Sequence, residues 1–250
     1  MAHFAWLARH GPWIHPAAVA LGLLWQDLAA IARPFLPVTV LMMLTLLLTR
    51  LNISQAFAHI RRPRLILAAL AWSLILIPLL MNVVLWLWPV SDGLRLALTI
   101  YASSPPNFST AALAWMFGLD GNLAVVFTLG AIALHPVVTP AFTELFASNI
   151  VELSAMQLAA RLAGLIGAAV VLAAILRHTI PRRHLDEGHA LFDAAHILIM
   201  VAFAVALMDG IPARIAAQPV FAVQLIALSF ALHIVINALS YAFWRVFDGI

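Results

Sequence analysis

The chain has 250 residues, of which 65% are hydrophobic and 9% charged, with a formal net charge of +3 and a mean hydropathy of +1.06. Soluble domains carry about 25% charged residues to cover their surface, so a water-soluble globule is excluded. Long apolar runs, no alternating strands and no Cys likewise exclude disorder, a membrane barrel and a secreted disulfide scaffold.

The solvent is therefore a bilayer. At about 20 apolar residues per spanning helix plus a short loop, the length makes room for about eight spans. The apolar runs predict helices over residues 14–31, 34–49, 65–90, 96–119, 121–143, 155–176, 191–208 and 217–243; merging or discarding the first gives seven. The N-terminal run from Ala17 to Trp25 is short and preceded by Pro16, which reads as a retained span rather than a cleaved signal. All 13 basic residues are Arg. The stretches after the second and sixth runs hold Arg50, Arg61, Arg62, Arg64, Arg177, Arg182 and Arg183, with Arg9 and Arg245 at the termini, against Arg33, Arg95 and Arg214 in the opposite loops. This bias predicts an inner-membrane protein with both termini cytoplasmic, and it explains the basic charge without nucleic acid. Arg161 lies inside the sixth run and is expected to snorkel to the nearer interface.

Polar residues inside the runs mark where chemistry can occur. The third contributes Ser73, Pro78 and Asn82. The fourth has no charge over its length yet gathers Ser103, Ser104, Pro105, Pro106, Asn107, Ser109 and Thr110 near its centre. Two prolines remove two backbone donors and strand the carbonyls of Tyr101 and Ala102. In hydrocarbon those carbonyls need a hydroxyl, water, ion or substrate as partner, so the spacing predicts a broken helix of the kind secondary transporters use. In the fifth run Thr128, His135 and Thr139 share one face, and Pro136 frees the carbonyl of Ile132. The imidazole of His135 titrates near neutral pH and could carry a proton or simply pack as a neutral ring. The sixth has a small-residue ladder, Ala160, Gly164 and Ala168, that allows close helix packing. Asp193 and His196, three apart at the start of the seventh, read as a solvated pair or a proton-handling one, and the eighth places Ser229, His233, Asn237 and Ser240 on one face. His178, His184 and His189 match no usual metal spacing. The sequence contains no HExxH, G-x-S-x-G or Walker A motif, so the expectation is a non-enzyme without a resident metal or cofactor.

The stretch FLPVTVLMMLTLLLTRLNISQAFAHIRRPRLILAALAWSLILIPLL resembles the second and third helices of the bile acid:sodium symporter family. Residues 104–140 resemble its discontinuous fourth helix and its fifth, with Asp120 sixteen residues before Pro136 and the Val-Val-Thr-Pro that follows in place of the family's Leu-Leu-Thr-Pro. The resemblance implies an all-α transporter with ten helices in two inverted five-helix repeats, in which broken helices four and nine cross. Residues 14–55 and 155–211 would be panel-like, and 62–146 and 217–245 core-like, within one membrane domain. It also implies sodium ligands. Thr110 keeps a ligand hydroxyl while the neighbouring Asn becomes Ala111, Thr128 is retained while its partner becomes Ala124, and Ser73 replaces a Gln. These changes leave both Na+ and H+ open as coupling ions. With about eight helices the fold reads as incomplete, lacking counterparts of helices nine and ten, and such a chain is expected not to transport by itself. The two functions carried forward are a secondary transporter of a small organic anion, lined by Ser103, Ser104, Pro105, Pro106, Asn107, Ser109, His135, His233 and Asn237, and a transport-inactive scaffold or sensor subunit acting with a partner or by self-association.

Overall fold

The computed structural model describes residues 2–50, 63–87, 90–106, 110, 121–148, 154–180 and 189–248, and among these every regular element is helical. The helices are α1 (Ala2–Leu24), α2 (Gln26–Ala32), α3 (Leu36–Arg50), α4 (Pro63–Ala71), α5 (Ile77–Leu87), α6 (Asp92–Ser103), α7 (Gly121–Ala147), α8 (Ala155–Thr179), α9 (His189–Leu207), α10 (Ile211–Ala217) and α11 (Pro219–Asp248). Hydrocarbon offers no partner to a backbone amide, so a chain of this composition satisfies its N–H and C=O groups within helices. Six stretches among the described residues are long and apolar enough to cross a membrane: Gln26–Thr49, Pro63–Leu87, Leu123–Ala147, Ala155–Thr179, Ala194–Ala217 and Pro219–Phe247; Trp13–Leu24 is a shorter apolar helix. The predicted fourth run falls partly outside the described residues. The protein is an all-helical integral membrane protein.

The chain divides into two compact units, residues 1–50 with 169–250, and residues 51–168. In the first, α9 is the central helix and touches α1, α2 and α3. Ala18, Ala29 and Val205 form its buried centre, with Ala32 and Ala204 packed against them, and small side chains let the helix backbones approach closely. Gly22 shows how closely: a Cβ there would stand 2.8 Å from the Cβ of Met208 and 2.9 Å from the carbonyl of Val205. About two turns earlier on α1, His15 Nε2 lies 3.0 Å from Met200 Sδ, so α1 and α9 run in the same direction.

The break between the first two runs falls at Trp25, not between residues 31 and 34 as the sequence predicts. Trp25 leaves helical geometry (φ −118°, ψ 80°), and Gln26 holds the break closed. Its Nε2 donates to the carbonyls of Gly22 (2.7 Å), Leu23 (3.3 Å) and Met208 (3.3 Å), while its Oε1 accepts from Gly210 N–H (2.9 Å). Gly210 has φ +71°, a left-handed conformation that favours glycine. Arg33 and Pro34, the expected boundary, instead form a 3₁₀ turn, Arg33–Phe35, that joins α2 to α3; tightening the helix at its own first turn absorbs the proline's missing donor. Arg33 donates to Asp209 at 2.7 Å.

At the other end of α3, Arg177 Nε donates to the carbonyl of Thr49 at 2.9 Å. The C-termini of α3 and α8 therefore meet, and the chain leaves both helices at the same end of the unit. Helix α11 packs against the neighbouring α10, and none of its apolar window is buried. In α8 a Cβ at Gly164 or Gly167 would meet nothing within 4 Å, so among the described residues no helix uses the close approach that the small-residue ladder allows.

Candidate functional site

The polar centre of the second unit is built where α6 ends. Ser91 starts that helix by accepting from Leu94 N–H at 3.4 Å, with Asp92 in the first turn, where the helix dipole favours a negative charge. The helix stops at Ser103. Ser104 is extended (φ −75°, ψ 148°), the conformation that a following proline imposes, and Pro105 and Pro106 continue without helical structure.

Of the two stranded carbonyls, that of Tyr101 finds a partner within the protein, and the carbonyls around it are engaged as well. Ser104 N–H closes on Tyr101 O at 3.3 Å, and the Ser104 hydroxyl donates to Ile100 O at 2.7 Å. Ser103, fully buried, donates its hydroxyl to Thr99 O at 2.9 Å. Its own carbonyl accepts from the Thr139 hydroxyl of α7 at 2.9 Å, which pins the broken end of α6 to α7. Thr139 Oγ1 also lies 2.7 Å from His135 Nδ1. A threonine hydroxyl has one proton and a carbonyl has none, so with that proton on Ser103 O, His135 Nδ1 must carry the hydrogen it donates to Thr139. This proton counting leaves Nε2 as the nitrogen that can gain or lose a proton. Thr143 Oγ1 donates to Thr139 O at 2.8 Å.

One turn deeper, the Thr99 hydroxyl donates to Asn82 Oδ1 at 2.8 Å, and Asn82 Nδ2 donates to Pro78 O at 2.9 Å. Thr99 and Asn82 are buried. Asn82 sits on α5, which continues α4 through a π turn at Trp72–Leu76. That wider turn carries Ser73 and precedes the buried Pro78, and it packs against both α6 and α7; local π turns of this kind are frequent at functional sites. Leu70 on α4 lies against Gly130 of α7, where a Cβ would come within 3.2 Å.

Thr128 on α7 is the exception in this satisfied network: it is 4% exposed, and its hydroxyl has no hydrogen-bond partner among the described residues. Buried polar atoms are almost always paired, so an unpaired one marks a place for an ion, a water or a substrate.

Of the sequence-predicted residues, the structure joins Ser103 and His135 through Thr139 and places Ser104, Pro105 and Pro106 at the break, each half-buried. Ser73 is half-buried in the π turn, and Thr110 is half-buried. Asn107, Ser109 and Ala111 lie outside the described residues, as does the side chain of Asp193. His233, Asn237 and Ser229 are exposed on α11 in the first unit, where Asn237 Nδ2 donates to His233 O and Ser229 donates to Leu225 O. Arg161 is exposed. Sequence reasoning missed Thr99, the link between α6 and α5; the only local signal was its four-residue spacing from Ser103.

Comparison with known families gives one match: the family model described as Sodium Bile acid symporter family covers residues 36–240, which include the break, the α7 stripe and the π turn. No individual curated protein matches the chain.

Proposed function

The chain belongs to the sodium bile acid symporter family, and from that premise we propose that it is a secondary transporter that carries a small organic anion together with a coupling cation. Members of this family are transporters, and the observation that carries the reading to particular residues is the buried, unpartnered hydroxyl of Thr128 in the same unit as the broken end of α6. Thr128 is the first cation ligand in this reading, with Thr110 and Ser73 as further oxygen donors. A hard cation needs several oxygens, and the freed backbone of the Ser104–Pro106 break can supply carbonyls that side chains do not. The anion lies at the break, against Ser103, Ser104, Pro105, Pro106, Asn107 and Ser109. If the coupling ion is a proton, His135 takes it at Nε2, because Nδ1 is committed to Thr139.

The same reading puts the protein in the inner membrane with both termini cytoplasmic, on the asymmetry of its Arg residues. The core-like role of residues 217–245, with His233 and Asn237, rests on the family resemblance.

The test uses the full chain. Purified protein is melted in sodium chloride and in choline chloride of equal strength, and proteoliposomes are assayed for uptake of radiolabelled small carboxylates and sulfonates under imposed sodium or proton gradients. Sodium is expected to raise the melting temperature, and Thr128→Val to raise the sodium concentration that half-saturates this stabilisation about fivefold, the equivalent of one lost hydrogen-bond-strength contact of about 1 kcal/mol. Sodium dependence unchanged in Thr128→Val would remove Thr128 from the site. Uptake that follows the proton gradient alone would move coupling to His135.

A further inference from the structure

Between α3 and the last turns of α8, the first unit has a groove of ≈ 230 Å³ lined by Met42, Thr45, Leu46, Leu172, Ile175 and Leu176. Its wall is apolar: the one hydroxyl, that of Thr45, is committed to Leu41 O at 2.7 Å. A groove of this kind, open along a lipid-facing surface, receives a hydrocarbon chain without stranding any polar group.

The groove has a charged end. Arg177 follows Leu176 directly, and its Nε is held by the carbonyl of Thr49 at the end of α3. That bond fixes the guanidinium with its two terminal nitrogens free of any other bond among the described residues. A guanidinium presents paired N–H groups that match a phosphate in a two-pronged contact. Both helices end here, α3 at Arg50 and α8 at Thr179. An apolar trough that ends in an oriented guanidinium has the chemistry of one amphiphile.

We propose that this groove is a binding site for a single anionic phospholipid, with one acyl chain between α3 and α8 and the phosphate on the terminal nitrogens of Arg177. The site lies in the first unit and uses none of the residues assigned to transport, and its occupant would brace the parallel pair α3 and α8 at their shared end. A zwitterionic lipid shares the acyl chain but carries a compensating cation beside the phosphate, so the preference is for net negative charge.

The experiment is native mass spectrometry of the full chain with equimolar phosphatidylglycerol and phosphatidylcholine of identical acyl chains, with glycerol phosphate as the soluble headgroup control. Phosphatidylglycerol is expected to bind about fivefold tighter than phosphatidylcholine, the contribution of one Arg near the membrane surface, and Arg177→Gln to bring the two lipids to parity. Ile175→Trp fills the trough, leaves the charge unchanged, and is expected to lower binding of both lipids; it decides the question if Arg177→Gln does not fold. Equal binding of the two lipids by the unaltered chain, preference retained in Arg177→Gln, lipid binding unchanged in Ile175→Trp, or glycerol phosphate binding as tightly as the whole lipid would each overturn the proposal.

Discussion

Replacing Thr139 by Val tests the link between the broken end of α6 and α7. The change keeps a β-branched side chain of similar size, so it opens no large cavity, but it strands two buried groups at once. Ser103 O loses the Thr139 hydroxyl as donor and His135 Nδ1–H loses that hydroxyl as acceptor. In a soluble core each stranded group costs about 1–3 kcal/mol. In membrane proteins side-chain hydrogen bonds between helices average about 0.6 kcal/mol and reach about 1.7, because the unfolded chain also finds partners in the bilayer. Two lost bonds therefore give roughly 1–3 kcal/mol. Thr143→Val is the control: its hydroxyl only adds a second bond to a carbonyl of its own helix, and its loss should cost under about 0.5 kcal/mol. Thr139→Ser keeps the hydroxyl and should recover most of the loss. The assay is reversible unfolding of the full chain by sodium dodecyl sulfate in mixed micelles, followed by tryptophan fluorescence. Thr139→Val no worse than Thr143→Val, or Thr139→Ser as damaging as Thr139→Val, would refute the proton counting and the bridge.

Two further predictions concern helix packing and the Trp25 break. Gly22→Ala drives a Cβ into Met208 and the backbone of Val205, and should cost about 1–3 kcal/mol by overpacking, whereas Gly164→Ala and Gly167→Ala meet no atoms and should stabilise α8 by about 0.5–1 kcal/mol through helix propensity; thermal melts in one detergent compare the three, and a neutral Gly22→Ala would mean that α1 and α9 are not in contact there. Gln26→Leu removes a side chain whose amide binds both α1 and the Met208–Gly210 turn, and should lower unfolding stability by about 1–3 kcal/mol and speed hydrogen exchange at Gly210 N–H. Unchanged exchange there would show that Gln26 does not hold the turn.

How far these features were legible in the sequence depended on whether the physics was local. Adjacent prolines act on their own neighbours, so Pro105 and Pro106 foretold that Ser104 would leave the helix and that carbonyls behind it would need partners. The 3.6-residue period likewise put His135 and Thr139 on one face before any contact was known. The pairing of Thr99 with Asn82 was not legible, because seventeen residues and a turn separate them and only the docking of α5 against α6 brings them together. The break at Trp25 was misread for a related reason. Arg33-Pro34 carries the usual stop signals, a charge and a proline, whereas the true break is held by an amide that reaches across to Met208 and Gly210. Nothing next to Gln26 in the sequence announces that partner. The ladder at Gly164 shows the limit from the other side: small residues permit a close approach, but a second helix has to use it, and among the described residues none does.

Seven threonines are buried among the described residues: Thr39, Thr45, Thr49, Thr99, Thr128, Thr139 and Thr143. In lipid the cheapest way to satisfy a hydroxyl is to return it to a carbonyl of its own helix, three or four residues back. Thr39, Thr45, Thr49 and Thr143 do this, onto Leu36, Leu41, Thr45 and Thr139. Thr99 and Thr139 give that bond up, but each gains a partner on another helix, Asn82 and Ser103. Thr128 does neither, although it sits well inside α7 with the turn that begins at Ala124 behind it. Its hydroxyl is unpaired beside an acceptor type that serves four other threonines of this chain, so scarcity of acceptors does not explain it. Holding it away from its own helix costs stability, and a partner from outside the chain would recover that cost. Thr128→Val should accordingly be neutral or stabilising without cation; a loss above about 1 kcal/mol in sodium-free buffer, by the same dodecyl sulfate titration, would mean that the hydroxyl is paired within the protein and would take away the reason for placing an ion there.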